Sequence, residues 1–182
     1  RKGEGASVTD APRNAKPKKK EKKGKQPAIA VPTACKQWLD NSSSYTYKVN
    51  GTEIVALNSD MEPLYATLSE QLHLLKVGIT LAELKGRDAL PAHDLAMNTA
   101  LRAEAFASSE LSYAEALRYL HREAITLPAD TPRGFVLVTY RDVPLGFVKN
   151  LGNRANNLYP NEWRIRSGHL PEEEVQVINS IS

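Results

Sequence analysis

Large apolar side chains are nearly absent from residues 1–33, and folded character begins where Trp38 and Leu39 supply them. In 44–57, Tyr45, Tyr47 and Val49 alternate with polar residues, Asn50-Gly51 suits a tight turn, and Ile54 to Leu57 return. This pattern predicts a β-hairpin. Asp60 is placed to cap a helix whose apolar row is Leu64, Leu68, Leu72 and Leu75. A strand is expected over 77–84, ended by a turn at Lys85-Gly86-Arg87.

Pro91 suits the first turn of a second helix over 91–106, in which Leu95, Ala96, Ala100, Leu101 and Phe106 keep helical spacing. Ser112, with Glu115 three residues on, reads as a capping box for a third helix over 112–123, with Ala116, Leu117 and Leu120 inward. After Gly134 the period changes from helical to strand-like. Residues 135–140 and 143–149 form two β-rich runs joined at Arg141-Asp142, a second hairpin signal, and 163–166 is a third short strand candidate. The order predicts an α+β chain: an arm at 1–33, a small α/β subdomain at 34–88 and a second domain at 89–182.

Charge sharpens these divisions. Residues 1–40 hold 11 Lys/Arg against 4 Asp/Glu, 41–132 hold 7 against 12, and 133–166 hold 6 against 2, before the Glu172–Glu174 run. The arm buries too little to offset the entropy of ordering and is expected to be disordered. Its Lys16–Lys25 run reads either as a solvated tether or as a phosphate-contacting strip. A single cysteine, Cys35, excludes an internal disulfide, and no apolar run has the length of a membrane span or follows the basic start as a signal peptide would. Together with the first residue, Arg1 rather than Met, this predicts a cytoplasmic segment of a longer chain, monomeric and without a membrane partner.

Catalytic patterns are missing: there is no phosphate-binding glycine loop, nucleophile elbow or metalloprotease helix, and His73, His93, His121 and His169 lack metal-ligand spacing. Cys35 has an adjacent lysine that would lower its pKa slightly, but no acid or base partner is visible, so it reads as a partly buried hydrophobe. Binding chemistry is richer in 141–166. Lys149, Arg154, Arg164 and Arg166 offer cations, Asn150, Asn153, Asn156 and Asn157 offer amides, and Phe147, Tyr159 and Trp163 offer ring faces. Single-stranded or looped RNA needs these groups for its backbone, base edges and base planes. Equally, the rings would fill a core and the asparagines form turns. Composition leaves both readings open.

The residues also carry a resemblance. G-F-V-L-V-T-Y-x-x-x-P-L-G-F-x-K at 134–149, followed by G-N-R-x-x-N-x-Y-P-x-x-W-R at 152–164, resembles the PUA-like C-terminal module of the sun/Fmu family of RNA cytosine-5 methyltransferases, in its RsmF-like ribosomal RNA branch. Residues 74–96 and the helix carrying Ala114-Glu115-Ala116 and Tyr119-Leu120 extend the likeness to roughly 34–167. The sequence departs from the family pattern at Phe147, where tryptophan is usual, at Val148, where glycine is, and at Asn156, where lysine is.

The resemblance implies a PUA-like β-barrel with flanking helices over 89–182. It also implies an RNA-binding module that positions ribosomal RNA for a methyltransferase domain in cis. The S-adenosylmethionine site and catalytic cysteine of that domain have no counterpart in this chain, so no cofactor, metal or catalytic residue is expected here. The RNA-binding set is Lys149, Asn150, Asn153, Arg154, Asn157, Tyr159, Arg164 and Arg166. Two alternatives stand beside it: a structural domain packing on the methyltransferase core, with Asn157 and Arg164 sequestered, and a module directed to transfer RNA.

Overall fold

The computed structural model describes residues 30–86 and 88–169, so the Lys16–Lys25 run and the Glu172–Glu174 run lie outside the described residues. Two four-stranded sheets follow one another along the chain. The first is an antiparallel meander of β1 (Tyr45–Asn50), β2 (Glu53–Asn58), β3 (Ile79–Lys85) and β4 (Asp88–Pro91). In the second, β5 (Ala107–Glu110) runs parallel to β6 (Gly134–Tyr140), which pairs antiparallel with β7 (Val143–Asn150), itself antiparallel to β8 (Ala155–Asn157). Among the described residues there are four α-helices: α1 (Thr33–Lys36), α2 (Glu62–Gln71) between β2 and β3, α3 (His93–Ala96) between the sheets in chain order, and α4 (Tyr113–Leu120) crossing from β5 to β6.

Both hairpins form where turn chemistry predicts. Asn50 pairs with Glu53 around a turn containing Gly51 at φ +61°. Arg141 and Asp142 both adopt positive φ (51° and 62°), as a two-residue turn between twisted strands requires. The Glu110 carboxylate fastens this second turn by accepting from the Arg141 amide and the Thr139 hydroxyl. The capping box of α4 is present in both directions between Ser112 and Glu115.

Elsewhere tertiary pairing overrides the local pattern. The helix expected over 91–106 is reduced to α3, because Pro91 ends β4 and the Asn98 side chain accepts from the Ala100 amide (2.9 Å). Beyond that turn the chain pairs with the α1 side: Leu101 bridges Leu39, and the Arg102 amide donates to Trp38 O (2.9 Å). The leucine row assigned to α2 is not a buried face. Leu72 and Leu75 lie past the helix, and Leu64, Leu72 and Leu75 are 47%, 57% and 91% exposed. Asp60 is not the cap; it sits in a 3-10 turn, its own amide held by the Asn58 side chain. The strand expected over 163–166 is also absent. Residues Asn161–Trp163 form a 3-10 turn, and the third strand of that region is β8.

Two cores meet at β7. Phe147 belongs to a cluster with Leu39, Ile54, Leu81 and Leu95, joining the first sheet to the second. Its neighbour Val148 points into another, with Tyr119, Ile125, Val136 and Val138. Successive strand side chains face opposite sides, so β7, covered on both, reads as a continuous apolar run rather than an alternating one. The second sheet remains open among the described residues, with β5 and β8 at its edges, so the expected closed barrel is replaced by a sheet backed by α4 and the first sheet.

Candidate nucleic-acid interface

Gly146 sets the geometry around the candidate site. Its φ is +143°, and a Cβ there would stand 2.3 Å from the Tyr119 hydroxyl and 2.9 Å from His93 Nδ1. The close approach that a glycine permits lets β7 accept the Tyr119 hydroxyl on Phe147 O (3.1 Å). Burial raises the Tyr119 phenol above its ordinary range and lowers the half-buried His93 imidazole below its own, Asp94 opposing the latter shift. His93 Nδ1 is buried without a hydrogen-bond partner among the described residues. Its ring makes edge contacts with Tyr159 (centroids 5.2 Å) and Trp163 (5.1 Å).

The eight residues singled out from the sequence separate into three groups. Asn150 and Asn157 serve the backbone. Asn150, 5% exposed, donates to Thr131 O and Pro132 O (both 3.0 Å) and accepts from the Gly152 amide. Asn157 donates to Tyr119 O (2.8 Å) and Glu123 O (2.9 Å), closing the end of α4 onto β8, and accepts from the Tyr159 amide (2.9 Å). These amides have no donor left for a base edge.

Lys149, Asn153 and Arg154 form the second group. Lys149 joins the two sheets through Asp88 (2.9 Å) and lies over the Phe135 ring. Asn153 and Arg154 are exposed on the turn after β7, where the Arg133 guanidinium sits against Gly152. The third group, Tyr159, Arg164 and Arg166, surrounds the C-terminal end of α4. The Ile165 amide donates to Leu120 O (3.0 Å), which places its exposed neighbours Arg164 and Arg166 beside that helix end. Arg164 is therefore not sequestered.

Arg122, missed from the sequence, completes this basic rim. It occupies a left-handed position (φ 66°) just past α4 and donates from Nε to Tyr159 O (2.8 Å), its side chain otherwise exposed. Its placement after a helix end, where cations are favoured, was the available signal. Trp163, 59% exposed, adds a ring face beside the same rim. Below it, a cleft of about 470 Å³ runs between the first sheet and the segments after α4 and β8, with Glu53, Glu83, His93, Arg122, Tyr159 and Pro160 among its lining residues. Cys35 is excluded as a nucleophile: it is fully buried, and desolvation raises its thiol to about 11, against the lowering expected from Lys36. Among the described residues no cluster of His, Cys, Asp or Glu could hold a metal, and no helix is long and apolar enough to cross a membrane.

Residues 106–165, from the start of the second sheet to the rim, match a family of PUA domains carried by methyltransferases. The family is described as the methyltransferase RsmF PUA domain, and this part of the chain is similar to it. Relatives extend the similarity over both sheets. A ribosomal RNA small subunit methyltransferase F from Shewanella loihica is 28% identical over 162 residues, 85% of this chain and 32% of that protein. Proteins of the same name from Klebsiella pneumoniae (28% over 149 residues) and Enterobacter sp. (27% over 148) each cover 81% of the chain and 29% of their own length. The chain thus spans about a third of the length of the curated relatives it matches.

Proposed function

We propose that this chain is an RNA-binding module that positions ribosomal RNA for an S-adenosylmethionine-dependent cytosine-C5 methyltransferase domain in cis, in a cytoplasmic setting. One observation carries the reading: Arg122, Arg164 and Arg166 converge on the end of α4 beside the exposed Trp163. Cations following a phosphate backbone, next to a ring on which a base can stack, are what single-stranded or looped RNA takes. The names of the relatives supply the RNA class, and the module's part is alignment, which lowers the barrier of a reaction carried out elsewhere. Arg154 and Arg133 form a second, separate basic point on the turn after β7. The arm at 1–33 serves as a tether.

The test is binding of a structured ribosomal RNA fragment by the chain and by its Arg164→Ala/Arg166→Ala variant. Weakening of about tenfold is expected, from two phosphate contacts. Undiminished binding by the variant, with loss on removing residues 1–29, would transfer the function to the arm. A second reading, a domain that packs on the methyltransferase core, is favoured for the interior of the motif by Asn150 and Asn157, whose amides are wholly engaged in the fold.

A further inference from the structure

The cleft beneath the basic rim has a lining that phosphate contacts do not explain. Its charged residues include Glu53, Glu83 and Glu162 against Lys85 and Arg122, so it repels phosphate rather than attracting it. Glu53 and Glu83 are moreover direct partners across the antiparallel β2–β3 pair, an arrangement in which like charges oppose pairing. Neither carboxylate has an ion-pair or hydrogen-bond partner among the described residues. Rings line the same cleft: Tyr159 and His93 are among its lining residues, and Trp163 meets the His93 ring in a T-shaped contact beside them. A volume of about 470 Å³ lies within the range of sites for small organic molecules.

We propose that this cleft takes one unstacked nucleobase of the bound RNA, a base bearing an exocyclic amino group, with the ring against the Tyr159–Trp163 side and the amino group donating to the Glu53–Glu83 pair. The proposal rests on the RNA-binding reading and adds a specificity site to it. The arginines of the rim hold the flanking phosphates, which keeps the sugar-phosphate chain outside while the base alone enters. Charge then favours an amino edge over a carbonyl edge. A carboxylate accepts from the former and repels the latter, and a hydrogen bond to a charged group is among the stronger kind. Because the lining comes from β2, β3, β4 and α3 as well as from the segments that follow α4 and β8, both parts of the chain are needed to form the site.

Short oligocytidylate and oligouridylate test this, since the first presents an amino group beside an unprotonated N3 where the second presents a carbonyl beside N3–H. Trp163 is one of two tryptophans, so its emission in the intact chain is read by difference against Trp163→Phe. Oligocytidylate is expected to quench Trp163 and to bind roughly fivefold or more tightly than oligouridylate at one salt concentration. Glu83→Gln, at an exposed strand position, is expected to bring the two affinities within about twofold without weakening oligouridylate. Equal affinities in the intact chain, or an unchanged preference in Glu83→Gln, would overturn the cleft site while leaving RNA binding by the rim intact. Tighter binding of both oligomers to Glu83→Gln by the same factor would overturn it too, since the carboxylates would then act only as a repulsive edge. Failure of the chain to bind either oligomer or a structured RNA would remove the underlying reading itself.

Discussion

Residues 146–157 and 159–166 hold the same kinds of side chain, yet the fold uses them in opposite ways. In the first stretch Gly146, Phe147, Val148 and Asn150 are buried, and the amides of Asn150 and Asn157 are fully engaged by backbone groups. In the second, Trp163, Arg164 and Arg166 stand exposed around the backbone anchor of Ile165 on Leu120. Residue type therefore does not assign a role here; strand position does. β7 is central and covered on both faces, whereas the chain past Pro160 leaves the sheet and runs over the end of α4.

The sharpest way to break this contrast is at Gly146. Alanine there meets the Tyr119 hydroxyl and His93 within van der Waals distance at a φ that L-residues avoid, and is expected to lower stability by about 3 kcal/mol in urea unfolding. Asn157→Ala comes next. It leaves Glu123 O without its side-chain donor and Tyr119 O with the Arg122 amide alone, and an expected loss of about 2 kcal/mol should leave the RNA affinity of the folded fraction unchanged. Weaker RNA binding by folded Asn157→Ala would blur the division between the two stretches.

His93 gives a smaller, pH-dependent effect. Burial holds its folded-state pKa below the ordinary value of 6.5, so the unfolded chain takes up the proton first. Stability should fall as pH drops through about 6.5 and level off below the lowered folded value. Urea midpoints of His93→Gln should be flatter over this window than those of the unaltered chain. The smallest effect belongs to Lys149→Ala, which removes an exposed pair with Asp88 and should cost less than about 1 kcal/mol in thermal unfolding, less still at high salt.

Much of the second sheet was legible in the sequence because its signals are local: positive-φ turn residues at Arg141-Asp142, and a capping box at Ser112 and Glu115. What escaped depends on distant partners. Parallel pairing of β5 with β6 leaves no mark on residues 107–110 themselves, and the segment after α3 is claimed by Leu39 and Trp38, some 60 residues earlier. The same holds at the interface. Lys149, Arg154, Arg164 and Arg166 were visible as cations, but their division between two places, and the addition of Arg122, follow from where α4 ends. His93 has no metal-ligand spacing in the sequence, and only the fold brings it against Tyr159 and Trp163.

The central claim is that the rim around the end of α4 holds RNA, and the salt dependence of binding tests it most directly. For a single-stranded or looped ribosomal RNA ligand, Arg164→Ala/Arg166→Ala should reduce the slope of log affinity against log salt by roughly 1 to 1.5, with stability unchanged within about 0.5 kcal/mol. An unchanged slope and affinity in a fully folded variant would contradict the account.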